Sequence, residues 1–374
     1  MKGKLTMRRG ENIYKRKDKR WEGRYAVGKN ADGKTKYRSV YSKTLQGVRK
    51  KLYPLKMKYQ LLQERQGRAC FSFQEWGMQW LQQVKQEVKE STYANYEHKL
   101  CHYVLSVIGE YSLNELDKET GLELLRSLQQ RNLKPSTIQV VFRIVKQCMN
   151  QAVDQDLLKA NPFAAVKLPK VEKRQQQALT KFEQKNLEEV AIEEETSNGL
   201  PTLLALHAGL RIGEIAALSW EDINFKTNSI HVRATYQRIF SLLEEQKTKL
   251  IYTSSKTVSS VRSIPMSKLL KKVLLKHKEQ SKGKFVFSTA ENPSEPRLLT
   301  YHFHKIRKKA NLEHVHFHQL RHTFATRCIE SKGDIKSVSQ MMGHSSTQLT
   351  LDTYTSSFME QKVQVVRQME KAIS

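Results

Sequence analysis

Acidic residues are what this chain most lacks. Its 374 residues hold 37 Asp and Glu against 65 Lys and Arg, a formal net charge of +28 with a pI of about 9.8. A surface so one-signed calls for a polyanionic partner, nucleic acid ahead of a membrane surface. Long apolar runs are absent too: nothing approaches the ~20 residues of a bilayer span. The first residues lack the apolar centre of a secretory signal, so a cytoplasmic location without membrane contact is expected. The 4 cysteines, Cys70, Cys101, Cys148 and Cys328, are far apart and lack metal-ligand spacing. They read as reduced thiols serving as small hydrophobes. There is no Walker motif, dinucleotide-type glycine loop, clustered carboxylate set or internal repeat.

What is present is organised in blocks. The length predicts two or three domains. Residues 1–68 carry 22 Lys and Arg against 5 Asp and Glu, a net +17. Ile13-Tyr14, Trp21, Tyr25–Val27, Tyr37, Val40 and Tyr41 interleave with these bases as in short strands, with Asn30–Gly33 as a turn. Leu45 to Gln66 reads as a helix capped from Ser42–Thr44. A sheet plus helix with one basic face would dock on duplex DNA through phosphates, and the interleaved aromatics favour this folded module over a disordered basic arm. From Phe71 the period becomes helical: Phe73, Trp76, Trp80, Leu81, Val84 and Val88 recur at three- and four-residue steps. Ser91-Thr92 is expected to cap a second helix, a third runs from about Lys118 to Arg131, and Pro135-Ser136 opens a fourth. These stripes predict a compact bundle core. Lys167–Gln177 reads as a linker, and Thr180-Lys-Phe-Glu183 as a capping box opening the next domain. There Ile230, Val232, Ala234 and Tyr236 alternate, Leu250–Thr253 and Arg262–Pro265 suggest further strands, and helices resume at Ser267.

Several residues in this last block could carry chemistry, though each has a plain alternative. Arg211 lies in an apolar stretch, where a guanidinium needs a partner. It either pairs with Glu214 at i+3 or reaches a ligand anion while Glu214 steadies the turn. His318 and Arg321 share a helix face, as a surface pair or as a site. His344 follows Gly343, a candidate C-cap. Lys256 sits between two candidate strands, where a hairpin-tip lysine is normally solvated. Tyr354 is one of 14 tyrosines.

Order and spacing do more than any single residue. The motifs Gly209-Leu-Arg-Ile-Gly-Glu214, Leu218-x-Trp220-x-Asp222-Ile223, Lys256 with Arg262-x-Ile-Pro265, His318-x-x-Arg321-His-Thr-Phe-Ala, Gly343-His344 and Thr350-x-x-x-Tyr354 follow one another. In this the C-terminal part resembles the catalytic domain of tyrosine recombinases, the phage and integrative-element integrases. Small departures are Ala208 before Gly-Leu-Arg, Met342 before Gly-His, and no histidine following Tyr354. The resemblance implies a multidomain, mainly α protein with small β-sheets. Its parts would be a basic sheet-plus-helix arm-binding module (1–68), a helical-bundle core-binding domain (69–170) and a mixed α+β catalytic domain with a C-terminal tail (171–374). It also implies site-specific DNA strand breakage through a 3′-phosphotyrosine on Tyr354, integrating and excising a mobile element or prophage. Arg211, Lys256, His318, Arg321 and His344 would be the other catalytic residues, with no cofactor or metal. The implied partners are double-stranded DNA at core and arm sites and three further protomers, as a homotetramer on paired sites. An excisionase and a host DNA-bending protein are the accessory factors, and the tail Phe358–Ile373 is expected to pack on a neighbouring protomer. A type IB topoisomerase and a non-catalytic DNA-binding regulator are the rival readings.

Overall fold

The computed structural model describes residues 11–30, 32–67, 69–172, 177–194, 197–241, 247–254, 261–289, 291–343 and 346–347, with helical positions at 366, 367, 369, 370 and 373. The chain divides into two compact units, Met1–Glu172 with Phe240–Lys247, and Lys173–Ile239 with Thr248–Ser374.

The first unit begins with an antiparallel sheet of β1 (Ile13–Lys15), β2 (Trp21–Lys29) and β3 (Thr35–Ser42), in that order. Gly33 at φ +77° and the Asn30 side chain, which accepts from Lys34 N at 2.8 Å, close the β2–β3 turn. Helix α1 (Leu45–Gln66) starts where Thr44 Oγ1 accepts from Gly47 N. Val48, Leu52 and Tyr59 of α1 bury against Tyr25 and Val27 of β2. A Cβ at Gly23 would stand 2.8 Å from Val48 Cγ1 and 2.9 Å from Leu52 Cδ2, so glycine is what lets helix and sheet approach.

This module is joined to the neighbouring helical bundle by more than the chain. Cys70 N donates to Lys29 O at 2.9 Å, Lys29 bridges to Ala69, and the buried Asn114 amide reaches Val27 O. The helices of the bundle are α2 (Phe73–Glu87), α3 (Glu90–Lys99), α4 (Ser106–Ile108), α5 (Lys118–Gln130) and α6 (Pro135–Asp154). Phe73, Trp76, Trp80, Phe142 and Phe163 fill their common core, and Trp76 Nε1 donates to Cys148 O at 3.1 Å. Two details differ from the sequence reading. Ser91 and Thr92 lie inside the first turn of α3, because Lys89 O already accepts from Thr92 N and Tyr93 N at 2.9 Å. Between α3 and α4, Leu100–Leu105 winds as a π-helix.

The second unit opens with α7 (Lys181–Glu193), closed at its start by the Thr180–Glu183 capping box. α8 (Leu200–Ala208), buried at every position but His207, is its centre, and α9 (Ile212–Ala217) follows after a tight turn. Next come β4 (Ile223–Asn224), β5 (Ser229–Val232), β6 (Ala234–Phe240), β7 (Thr248–Ser254) and β8 (Arg262–Pro265). They form two sheets, β4-β5-β8 and β6-β7. The strands flanking Lys256 therefore belong to different sheets, rather than to one hairpin. Helices α10 (Lys268–Gln280), α11 (Pro296–Lys309), α12 (Phe317–Glu330) and α13 (Ile335–Met342), with the small pair β9 (Ser288–Thr289) and β10 (Asn292–Pro293), complete the described part. α12 packs against α8, and α13 against both α12 and β8. Among the described residues no helix is long and apolar enough to cross a membrane.

Candidate functional site

Of the six expected site residues the structure describes three, Arg211, His318 and Arg321. Lys256, His344 and Tyr354 lie outside the described residues.

The turn between α8 and α9 sets Arg211. Gly209 ends α8 in the left-handed region at φ +64°, and a Cβ there would meet Phe324 Cδ1 at 2.5 Å and Met342 Sδ at 3.1 Å. Glycine is required twice over, for conformation and for space. Arg211 then takes the N-cap of α9 with extended backbone, and Glu214 reaches back to it. Arg211 N donates to Glu214 Oε2 at 2.8 Å and Arg211 Nη1 to Oε1 at 2.9 Å. Glu214 therefore pairs with the guanidinium and fixes the turn as well. The Arg211 side chain is still 42% exposed, so one edge of the fork faces outward.

Arg321 is the opposite case, an arginine only 2% exposed in the second turn of α12. Its Nη1 donates to Gly209 O and its Nη2 to Met342 O. One arginine thus ties together the turn before Arg211 and the last turn of α13, which leads to Gly343 and His344. A buried guanidinium is tolerable only with such acceptors. His318, one turn earlier on α12, has an open face. Protein packed beneath it, and then the positive charges of Arg321 and Arg211, push its pKa below the usual imidazole range. A neutral ring at neutral pH can accept a proton, and the arginines that keep it neutral also draw in an anion. His322 lies edge-on to it, with ring centroids 4.7 Å apart.

Sequence reasoning named Arg262, on β8, within a motif but gave it no role. Its Nη1 and Nη2 donate to Glu214 Oε1 and Oε2 at 3.0 and 2.7 Å, and its Nε donates to Met341 O at 2.7 Å. Glu214 is buried, which alone would raise its pKa, yet Arg262 and then Arg211 hold it down at about 2. The signal was available: strand alternation puts Arg262 on the same face as the fully buried Ile264, so it needed a carboxylate partner. Among the described residues no three His, Cys, Asp or Glu side chains gather as ligands for a metal ion.

Two family models match the chain, the phage integrase family over residues 172–361 and the phage integrase N-terminal SAM-like domain over 72–129. A tyrosine recombinase XerC-like protein of Caldanaerobacter subterraneus is 26% identical over 313 residues, covering 77% of this chain and 80% of that protein. The fold is similar to that of the Tn1549 transposon integrase in complex with transposon right end DNA. That match has a TM-score of 0.64 at 20% identity, over 76% of this chain and 95% of the other. It is also similar to the lambda integrase tetramer bound to a Holliday junction, with a TM-score of 0.57 at 17% identity over 91% and 97% of the two chains.

Proposed function

Since the chain belongs to the phage integrase family, a family of tyrosine recombinases, we propose that it is the integrase of a mobile element or prophage, joining and excising that element at specific DNA sites. What carries this reading is a half-exposed Arg211 and the buried Arg321, both close enough to His318 for their charges to help keep it neutral. These are the parts needed to hold a phosphodiester and to take a proton from its attacker.

Tyr354 attacks the scissile phosphorus and the bond to the 5′-oxygen breaks, leaving a 3′-phosphotyrosine. The phenol, with an ordinary pKa near ~10, passes its proton to His318. Arg211 and Arg321 bind the two non-bridging oxygens and offset the charge that grows on them. Lys256 protonates the departing 5′-oxygen, and His344 adds a hydrogen bond to the phosphate. The phosphotyrosine conserves the ester energy, so a 5′-hydroxyl from the partner duplex reverses the step without a cofactor.

In this reading residues 1–68 grip arm DNA, 69–170 and 171–374 each bind core-site DNA, and the protein works in the cytoplasm. The basic module, with its net +17, supports an arm-binding role. Exchanging both strands of two duplexes takes four protomers on paired sites. The tail Phe358–Ile373 links neighbouring protomers, and an excisionase and a host DNA-bending protein set the direction of reaction.

The test is covalent trapping. Purified protein, intact or Tyr354→Phe, is mixed with nicked duplexes from the DNA flanking its own gene and run on a denaturing gel. A protein–DNA adduct from the intact protein alone is expected. An equal adduct from Tyr354→Phe would assign another nucleophile, and no adduct on authenticated junction DNA would leave a non-catalytic binder.

A further inference from the structure

One side chain touches segments that lead to two different candidate residues. From β8, Arg262 grips both oxygens of Glu214 and, through Nε, the carbonyl of Met341. Glu214 in turn holds the backbone N and Nη1 of Arg211. On the other side Arg262 packs under Gly343, where a Cβ would come within 3.1 Å of Nη1 and 3.2 Å of Cδ. Gly343 is the left-handed C-cap of α13 at φ +61°, and His344 is the next residue. A continuous line therefore runs from Arg211 through Glu214 and Arg262 to the peptide that precedes His344.

Stability alone is a poor reason for such a residue. A buried ion pair is often no better than apolar side chains of similar volume, and Ile264 shows that this face of β8 accepts them. What an apolar residue cannot do is present three N–H donors in a rigid fork to two separate segments. Lysine could satisfy one of those acceptors and would leave the other to drift.

We propose that Arg262 is a positioning residue for strand cleavage: through Glu214 it aims the Arg211 guanidinium, and through Met341 and Gly343 it fixes where the His344 segment begins. This rests on the recombinase reading and extends it to a side chain buried against the protein's own acceptors. Arg321 makes a parallel tie between Gly209 and Met342. The two arginines thus hold the same two segments from different elements, and losing one loosens the site without dismantling it.

The experiment uses the full chain with Arg262→Lys and Arg262→Met, each compared with wild type in three ways. These are the melting temperature with DNA affinity, the single-turnover rate of adduct formation on the trapped nicked duplex, and the titration of His318 followed by NMR without DNA. The charges facing His318 are Arg321 from its own helix and Arg211 from the start of α9, with the His322 ring alongside. An Arg211 released from its aim should therefore let the His318 pKa rise. Expected are DNA affinity within about threefold of wild type, cleavage slowed by at least tenfold even in the lysine variant, and an upward shift of the His318 titration. A folded variant with wild-type cleavage and an unmoved His318 would overturn the proposal. So would a loss of cleavage that merely tracks a loss of folded protein. If wild type itself forms no adduct, the recombinase reading fails on its own, and the His318 titration still decides whether Arg262 aims Arg211.

Discussion

At Gly343 two demands meet in one residue: a left-handed φ of +61° and a side of the backbone already occupied by Arg262. Gly343→Ala is expected to cost about 1–2 kcal/mol in backbone strain alone and to slow cleavage more than it weakens DNA binding, as melting and adduct rates would show. Glu214 makes the pH dependence explicit. Its folded pKa is depressed, so its stabilising effect is complete above the ordinary carboxylate range and drains away as the pH falls towards about 2. Glu214→Gln should remove that acid-side slope, leaving a melting temperature that changes less between pH 5 and pH 3 than the wild type does. The buried Arg262 guanidinium would then lack a counter-charge, so the variant should also melt lower at pH 7. Lys256 is tested by its leaving group: Lys256→Ala should cleave slowly, yet recover on a duplex whose scissile 5′-oxygen is replaced by sulfur, because a thiolate departs without a proton. A variant that stays slow on the sulfur substrate would assign the proton elsewhere.

Elements were legible where one local rule decided them. The Thr44 cap and the apolar period set α1, Pro135 set the start of α6, and the Thr180–Glu183 box set α7. Thr180→Ala should lower stability by about 1 kcal/mol without altering cleavage per folded molecule, which denaturant melts and adduct yields can separate. Elements decided by tertiary contacts were not legible. Nothing local announces the π-helical Leu100–Leu105, nor that β8 pairs with β5 while β7 pairs with β6. The site divides in the same way. Arg211, His318 and Arg321 were candidates from the order and spacing of their motifs, which survive in the chain. The tie from Arg262 to Glu214 spans 48 positions and depends on a strand pairing that no periodicity reveals. Arg321 shows the limit from the other side: its residue type and place were readable, but its near-complete burial against two carbonyls was not.

For the whole molecule the dominant quantity is charge. With a net +28, binding to DNA should weaken steeply with salt, and each phosphate contact removed should lower the log–log slope by about 0.9. Lys34→Gln and Lys36→Gln, at exposed positions on or beside β3, should reduce the slope on arm DNA while leaving core-site cleavage as it was. Equal slopes would remove the arm-binding role. The bonds from Cys70 to Lys29 and from Asn114 to Val27 bear on this in another way. A reader of DNA hung on a loose tether tolerates any spacing within its reach. One bolted to the neighbouring bundle acts as a bracket, and its grip is correct at only one rotational phase of the double helix. Inserting about half a helical turn, roughly 5 base pairs, between arm and core sites should therefore hurt integration more than inserting a whole turn. The module would measure angle along the DNA as well as distance.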